Sequence, residues 1–179
     1  MGKIFITSDE HYYHHNMLLF RHIQDSRFQE ESYRNFRTTD EMHKVLKQRH
    51  NSVVRPEDTV YHLGDFAYGP GAKSWQQVQS ILQTLNGTHH LILGNHDHIE
   101  PFKYIEAGFS SVHTSLVLED YLLIHDPAVA GVLTHQKIIH GHTHNIGLRL
   151  APHTYCVCVE LHDYIPVEFS VIKGIFNAT

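Results

Sequence analysis

Five short segments of the sequence carry aspartate, asparagine or histidine in groups that could bind a metal ion. They are Asp9-Glu10-His11, Gly64-Asp65, Gly94-Asn95-His96-Asp97, His125-Asp126 and His140-Gly141-His142-Thr143-His144. Histidine is the commonest metal ligand in proteins, and this chain has 19 histidines among 179 residues. The excess alone is uninformative, because a histidine-rich surface would give the same count. The positions of these residues relative to the predicted strands have to decide.

Each of these five segments follows a short apolar run. The runs are too short for helices and several are rich in β-branched or aromatic residues, so they predict buried strands. They are Ile4-Phe5-Ile6, Val60-Tyr61-His62-Leu63, Leu91-Ile92-Leu93, Leu122-Leu123-Ile124 and Ile138-Ile139. In layered α/β folds, ligands bind where the carboxyl ends of strands converge, so we expect the five segments to meet at one edge. Gly64, Gly94 and Gly141 agree with this, since a sharp turn close to an ion favours a residue without a Cβ.

Two stretches between the strands have helical periodicity. Thr38-Thr39-Asp40-Glu41 is typical of a capping box, and Met42, Val45, Leu46 and Val53 then fall close to one face of the predicted helix. A second helix is predicted from about Ala72 to a C-terminal signal at Asn86-Gly87, with an apolar stripe made of Trp75, Val78, Ile81, Leu82 and Leu85. The alternation of strands and helices predicts a layered α/β fold.

The second half of the chain predicts further strands. Residues 112–118 and 121–124 predict a hairpin around Glu119-Asp120, and the alternation from Thr154 to Leu161 predicts another strand, so the sheet should be mixed. Length and apolar content fit one domain over residues 1–179. Cys156 and Cys158 would point to the same face of this last strand, where a disulfide would be strained, and we expect free buried thiols.

Charge and the N-terminus limit the function classes. Because 14 Lys+Arg stand against 19 Asp+Glu, the sequence has no basic stripe of the kind that tracking a long nucleic acid requires, although a short nucleotide remains open as a substrate. Acidic residues follow the first apolar run too soon for a signal peptide or membrane span, so we expect a cytoplasmic protein. The sequence does not indicate the oligomeric state.

As an ordered set, the five segments resemble the motifs of the calcineurin-like metallophosphoesterases. Asp9-x-His11, Gly64-Asp65, Gly94-Asn95-His96-Asp97, His125 and Gly141-His142-x-His144 match in order, and the Asp9 to Asn16 region is similar to small bacterial and phage members. The resemblance implies a four-layer αββα sandwich of two mixed β-sheets flanked by helices. It also implies one metal ion held by Asp9, His11, Asp65 and His144, and a second held by Asp65, Asn95, His125 and His142.

This mixture of carboxylate, amide and imidazole ligands suits two divalent ions, with Mn²⁺ first and Fe, Zn²⁺, Ni²⁺ or Co²⁺ as alternatives. Two ions about 3.5–4 Å apart activate a water between them for in-line attack on phosphorus. By resemblance, His96 stabilises or protonates the leaving-group oxygen and Asp97 orients its ring.

The sequence therefore predicts a dinuclear phosphoesterase that acts on a small phosphodiester, with a nucleotide among the candidates. A phosphomonoesterase with the same site is one alternative, and a catalytically silent binding module on the same fold is the other. Loss of catalysis should appear as missing ligands, whereas all seven positions and His96 are present. This completeness favours the enzyme.

Other residues near the motifs are weaker candidates for function. His14, Asn16 and Arg27 could contact a substrate phosphate, as could Arg21, while Tyr12, Tyr13 and Tyr68 could shape a pocket. We expect His62 and His140 to be core residues or to support ligands, because they lie in or beside apolar runs. The remaining histidines near the motifs are expected to be bystanders: His89, His90, His98 and His135.

Overall fold

The computed structural model describes residues 2–18, 34–69, 74–130 and 136–178. Within these ranges the chain has a mixed α/β architecture with two mixed β-sheets and four α-helices. The helices are α1 (Thr39–Val53), α2 (Trp75–Leu82), α3 (Pro101–Ala107) and α4 (Phe169–Asn177). Across the described residues, no helix combines the length and apolar character needed to cross a lipid bilayer.

The first sheet has the strand order β4-β3-β2-β1-β9. Its strands are β1 (Ile4–Thr7), β2 (Thr59–His62), β3 (Thr88–Ile92), β4 (Ser111–His113) and β9 (Val167–Glu168). Strands β1 to β4 are parallel and β9 is antiparallel to β1. Because the four strands are parallel, the carboxyl ends of β1, β2 and β3 lie at the same edge.

The second sheet has the order β5-β6-β7-β8. Its strands are β5 (Ser115–Leu118), β6 (Tyr121–Ile124), β7 (Lys137–His140) and β8 (Thr154–Cys156). The first pair is antiparallel and the other two pairs are parallel. The predicted hairpin is confirmed at β5 and β6, where Glu119 begins the turn with a φ of 52°.

Two main apolar clusters hold these layers together. One face of the first sheet packs against α1, α2 and α3 in a cluster that includes Met42, Val78, Leu91 and Tyr104. The other face joins the second sheet and α4 in a cluster that includes Ile6, Ile92, Leu123, Ile139 and Ile172. The two sheets therefore share one core.

The far face of the second sheet carries a smaller cluster of Leu122, Ile124 and Ile138. In the described part of the chain no α-helical residue belongs to this cluster, and Val117, which pairs with Leu122, is 58% exposed. The helical layer that the resemblance implies on this side therefore has no counterpart among the described residues.

The capping box and two strand predictions can be compared directly with the structure. The side chain of Thr38 accepts a hydrogen bond from the Glu41 N–H at 3.1 Å, which confirms the start of α1. The single strand predicted over residues 112–118 is wrong, because β4 and β5 are separate strands that pair in different sheets. The strand predicted from Thr154 to Leu161 is also too long. Strand β8 ends at Cys156, and a 3-10 helix occupies Val159–His162.

The bounds of α2 also differ from the prediction. The helix begins at Trp75 after the N-cap residue Ser74 and ends at Leu82, because the chain tightens into turns before Gly87. The predicted start at Ala72 lies outside the described residues. Helices α3 and α4 were not predicted, although Pro101 at the first turn and Gly108 in the left-handed C-cap of α3 are ordinary helix signals.

Candidate metal centre

The predicted ligands follow the carboxyl ends of five strands. Asp9 and His11 follow β1, Asp65 follows β2 and Asn95 follows β3. In the second sheet His125 follows β6, while His142 and His144 follow β7. Short contacts between these loops, given below, show that the structure brings all seven side chains to one place.

The backbone of these loops takes an uncommon conformation. Of the nine described non-glycine residues with positive φ, five are predicted ligands, namely Asp9, His11, Asp65, His142 and His144. Residues held in the left-handed region cost free energy and concentrate at functional sites. Main-chain hydrogen bonds hold the first two loops together, since Asp9 N–H donates to Gly64 O at 3.0 Å and His11 N–H to Asp65 O at 2.9 Å.

The three glycines beside the ligands are required by close approach, as predicted. A Cβ on Gly64 would lie 2.6 Å from His125 Nδ1, and a Cβ on Gly141 would lie 2.6 Å from Asp9 Oδ2. A Cβ on Gly94 would overlap the Asp65 carboxylate. Any side chain at these positions would push a predicted ligand out of place.

The first group of ligands comprises Asp9, His11 and His144. Asp9 Oδ1 lies 3.8 Å from His11 Nε2 and 3.6 Å from His144 Nε2. Asp9 Oδ1 and His11 Nε2 are buried and have no hydrogen-bond partner among the described residues. Burial lowers the pKa of His11 well below its ordinary value, so its neutral ring offers a lone pair.

The second group comprises Asp65, Asn95, His125 and His142. His125 Nε2 lies 3.6 Å from Asp65 Oδ1 and 2.9 Å from Asn95 Oδ1. His142 Nδ1 lies 2.9 Å from the same Asn95 oxygen and 3.2 Å from His125 Nε2. On its other side, His125 Nδ1 contacts the Leu63 carbonyl at 2.7 Å, which directs Nε2 into the group.

Asp65 lies between the two groups. Its Oδ2 is 3.6 Å from His11 Nε2 in the first group, while its Oδ1 faces His125 in the second. This is the arrangement that the predicted bridging role requires. Burial raises the pKa of Asp65, although His125 opposes the shift. A cation beside this carboxylate would favour its ionised form.

His96 and Asp97 lie at the rim of the centre, in different roles. The His96 N–H donates to Asp65 Oδ1 at 2.8 Å, and its ring Nε2 is 3.9 Å from Asp65 Oδ2 with the side chain 32% exposed. The buried Asp97 carboxylate accepts main-chain N–H groups of Asp65, Gly94 and Phe66 at 2.8, 2.9 and 3.2 Å. It therefore holds the two ligand loops together, which differs from the predicted orientation of the His96 ring.

Of the predicted substrate contacts, one lies inside the centre, one has an exposed side chain and two lie outside the described residues. His14 is buried inside the centre, where its Nδ1 lies 3.1 Å from His11 Nδ1 and its ring lies beside those of Tyr68 and His96, at 4.5 and 5.7 Å between centroids. Asn16 lies in the 3-10 helix His15–Leu18 with an exposed side chain. Arg27 and Arg21 lie outside the described residues.

Of the predicted pocket tyrosines, one lies at the rim of the centre, and the remaining histidine candidates lie in several different places. Tyr68 lies at the rim with its ring 4.3 Å from that of His96, whereas Tyr12 is a core residue and the Tyr13 hydroxyl contacts Ser80 at 3.0 Å. His98 is exposed, with its ring 6.2 Å from that of His96, and His135 lies outside the described residues. His90 Nδ1 contacts the Ser111 hydroxyl at 2.6 Å, and His140 is fully buried, as predicted.

One of the expected bystander histidines, at the start of β3, is buried. His89 is buried between the first sheet and α1, because alternation along β3 directs it to the helix-covered face. His62 Nε2 contacts His89 Nδ1 at 3.0 Å, and His62 Nδ1 contacts Glu10 Oε1 at 2.6 Å. The His50 ring of α1 lies 5.6 Å from that of His89. We call Glu10, His62, His89 and His50 the buried histidine network.

Sequence reasoning also missed the residues beneath the first group. Arg34 is 1% exposed, and its guanidinium donates to the main-chain carbonyls of Asp9 and Glu10 and to the carboxylate of Glu160. Glu160 Oε1 also contacts His144 Nδ1 at 3.1 Å. Burial alone would lower the pKa of His144, but the Glu160 and Asp9 carboxylates raise it to about 9.

The two cysteines are free and buried, as predicted. Their sulfur atoms lie 3.2 Å apart, and the Cys158 thiol donates to Asp9 Oδ2 at 3.2 Å. The same oxygen accepts the His142 N–H at 2.9 Å. Because both bonds go to Oδ2, the other oxygen of Asp9 remains directed into the first group.

Comparison with known proteins places the chain among uncharacterised relatives. No protein-family profile matches it. The uncharacterized protein MJ1445 of Methanocaldococcus jannaschii is 32% identical over 181 residues, which cover 96% of this chain and 90% of the archaeal protein. This chain belongs to the family of MJ1445. The gene 66 protein of Mycobacterium phage L5 is 24% identical over 176 residues, with 81% of this chain and 79% of the phage protein covered.

A solved structure shares the fold of this MJ1445 relative. The protein of unknown function AQ665 from Aquifex aeolicus matches with a TM-score of 0.68 and 24% identity, covering 98% of this chain and 100% of the other. The names of these relatives state no activity. Chemical inference for the MJ1445 family member therefore rests on its own side chains.

Proposed function

We propose that this protein is a metal-dependent phosphoesterase of the calcineurin-like kind that hydrolyses a phosphodiester. The observation that supports this best is the position of Asp65, whose two oxygens each lie 3.6 Å from an imidazole of a different ligand group. A carboxylate shared between two histidine-containing groups is what a two-metal hydrolytic site needs. We extend the proposal to the fold, as a calcineurin-like sandwich of two mixed sheets in which the described residues form the helical layer over the first sheet but not the one over the second.

The residues fit a pair of divalent cations. Buried atoms such as Asp9 Oδ1 and His11 Nε2, which have no partner among the described residues, would be costly unless a ligand satisfied them. Asp9, His11, Asp65 and His144 would hold one ion, and Asp65, Asn95, His125 and His142 the other. Oxygen and imidazole donors suit Mn²⁺ first, with Fe, Zn²⁺, Ni²⁺ or Co²⁺ as alternatives. When bound, the cations supply Lewis acidity that activates water and neutralises charge on phosphoryl oxygens.

The chain's own residues would then orient the ester and protonate the oxygen of its leaving group. His96 is half-buried at the rim, beside Asp65 and the ring of Tyr68, where a leaving-group oxygen can reach it. A histidine so placed serves as general acid. Asp97 supports this by fixing the main chain of the Asp65 and Gly94 loops, while His14 fixes the ring of His11.

Among the described residues, the arginine beneath the centre supports a diester substrate. A phosphodiester carries one negative charge where a monoester carries up to two, and so it needs less cationic neutralisation. Arg34, the buried arginine beneath the centre, has its guanidinium engaged by two main-chain carbonyls and by Glu160, so it is not available to a phosphate dianion. We also propose a cytoplasmic location, with which the free buried thiols of Cys156 and Cys158 are compatible.

The test is hydrolysis by protein loaded with Mn²⁺, with bis-p-nitrophenyl phosphate and p-nitrophenyl phosphate as substrates. We expect faster release of p-nitrophenolate from the diester and loss of activity in Asp65→Ala. Asp120→Ala, which removes an exposed carboxylate at the β5–β6 turn, is the matched control and should retain activity.

Hydrolysis of the monoester alone would identify a phosphomonoesterase with the same site. Hydrolysis of neither ester, with Asp65→Ala indistinguishable from the parent protein, would refute the proposal. If the diester is cleaved, cyclic nucleotides, dinucleotides and phosphorylated small molecules form the next panel, because only a substrate series can name the leaving group.

A further inference from the structure

A buried ion pair lies directly behind the first ligand group. The Arg34 and Glu160 side chains are 1% and 4% exposed, with Arg34 Nη2 and Nε at 2.8 and 2.9 Å from Glu160 Oε1. Removing two charges from water costs several kcal/mol per ion, so a buried pair by itself is weak evidence for a stabilising role. The pair therefore calls for an explanation beyond stability.

Both members of the pair contact the loops that carry predicted ligands. Glu160 Oε1 lies 3.1 Å from Nδ1 of His144, while Nε2 of the same ring faces Asp9 Oδ1 at 3.6 Å. The Arg34 guanidinium donates to the main-chain carbonyls of Asp9 and Glu10. One ion pair thus holds a ring at one nitrogen and fixes the backbone of the carboxylate that faces the other nitrogen.

In the second ligand group the His125 ring is supported by a neutral contact, and the Asp126 carboxylate lies 4.0 Å from His142 Nε2, which is beyond hydrogen-bond distance. His125 Nδ1 contacts the main-chain carbonyl of Leu63 at 2.7 Å. A carboxylate behind a ligating imidazole raises the basicity of the ring more than a carbonyl does, and removal of such a partner commonly weakens metal binding about 10–100-fold. The two metal positions are therefore supported unequally.

We propose that Arg34 and Glu160 are positioning residues for the metal held by Asp9, His11 and His144, and that they make this position differ in affinity from the one held by Asn95, His125 and His142. Glu160 keeps a proton on His144 Nδ1 so that Nε2 is free to ligate. Arg34 fixes the positions of the Glu160 carboxylate and of the Asp9 main chain. The inference rests on the metal centre of the proposed function.

The test is Mn²⁺ binding to the full-length apoprotein, measured by calorimetry and by the electron paramagnetic resonance signal of free Mn²⁺. The parent protein should bind two ions. In Glu160→Gln one ion should bind about 10–100-fold more weakly, and the other should stay within about 3-fold of its original affinity. Glu57→Gln, which changes an exposed glutamate, is the matched control and should bind both ions as the parent does.

A second variant guards against loss of the fold, because Glu160→Gln leaves the buried Arg34 charge without its partner. The double variant Arg34→Met/Glu160→Gln removes both charges and should show the same selective loss.

Three results would overturn the inference. Both ions binding within about 3-fold of the parent affinity in the single and double variants would show that the ion pair has no role in metal binding. Equal weakening of both ions would indicate general damage to the fold. A parent protein that binds no Mn²⁺ would refute the metal centre itself, whereas two ions bound by parent and variants alike would leave the proposed function intact.

Discussion

The buried histidine network predicts how stability should depend on pH. His62, His89 and His50 lie between the first sheet and α1, each less than 5% exposed. Burial lowers the pKa of His62 to about 3, that of His89 to about 2 and that of His50 to about 4. In the folded protein these rings are therefore neutral at pH values where the unfolded chain protonates them.

The sign and size of the effect follow from proton counting. Between pH 4.5 and 6.5 the unfolded chain binds up to three more protons on these histidines, so the fold loses stability as pH falls. Glu10 acts in the opposite direction. Burial raises its pKa in the folded protein to about 8, so the folded protein binds one proton more at Glu10 than the unfolded chain does, and the resulting stabilisation is lost as pH rises. The net of two protons gives about 2.7 kcal/mol per pH unit from this network.

Substitution of His89 isolates one of the three protons. At pH 8, His89→Leu should destabilise the fold by about 1–3 kcal/mol, because His62 Nε2 loses its partner at 3.0 Å. Between pH 6.5 and 5 the free energy of unfolding should fall less steeply in the variant than in the parent, and the two slopes should differ by about 1.4 kcal/mol per pH unit. The stabilities of the two proteins should therefore become similar near pH 5.

Urea unfolding of both proteins across pH 5 to 8 measures this difference directly. His98→Leu, which removes an exposed histidine, is the control and should follow the parent slope. Parallel curves for His89→Leu and the parent protein would refute the reasoning, because they would mean that His89 is protonated equally in the folded and unfolded states.

The other predictions concern the centre itself. Gly94→Ala should abolish binding of Mn²⁺, because its Cβ overlaps Asp65, whereas Gly174→Ala in α4 has open space and should bind normally; calorimetry of both checks this. His96→Gln should lower turnover about 10²–10⁴-fold for diesters with alkyl leaving groups and less for p-nitrophenolate esters, with Mn²⁺ stoichiometry unchanged; an equal loss for all leaving groups would argue against an acid role. When Mn²⁺ is present at 100 times the Kd of a site, its binding there should stabilise the fold by about 2.7 kcal/mol in urea unfolding, and so by about 5.4 kcal/mol when both sites are at this saturation. Excess chelator should remove this gain, and identical unfolding curves with and without Mn²⁺ would contradict it.

The positions of the predicted ligands were accessible from the sequence because parallel strands align their carboxyl ends. Asp9, Asp65 and Asn95 each follow an apolar run, and β1, β2 and β3 are parallel neighbours in the structure. Glycine next to a ligand was also visible in the sequence, whereas the crowding that requires it comes from His125 at Gly64 and from Asp65 at Gly94 and appears only in the structure.

Long-range pairing was not accessible. No glycine or proline divides the sequence from 112 to 118, but the chain changes sheets within it, and only contacts with β3 and β6 separate β4 from β5. Arg34 and Glu160 are 126 positions apart, and an isolated arginine in a sequence resembles a surface residue. Their connection beneath His144 appears only in three dimensions.

His89 shows that a local pattern can place a residue near the start of a strand without showing that it is buried. It lies in the run Thr88-His89-His90-Leu91, whose polar first half suggested a loop or the start of a strand. In the structure β3 begins at Thr88, and the alternation of the strand buries His89 against His62. A histidine can occupy a core position when a neighbouring ring satisfies its nitrogen.

The central claim is that seven side chains form one two-metal centre around Asp65. The most direct measurement is a crystal structure grown with Mn²⁺, with data collected on both sides of the manganese absorption edge. We expect two anomalous peaks about 3.5–4 Å apart with the Asp65 carboxylate between them. Peaks elsewhere, or none among Asp9, Asp65 and His125, would contradict it.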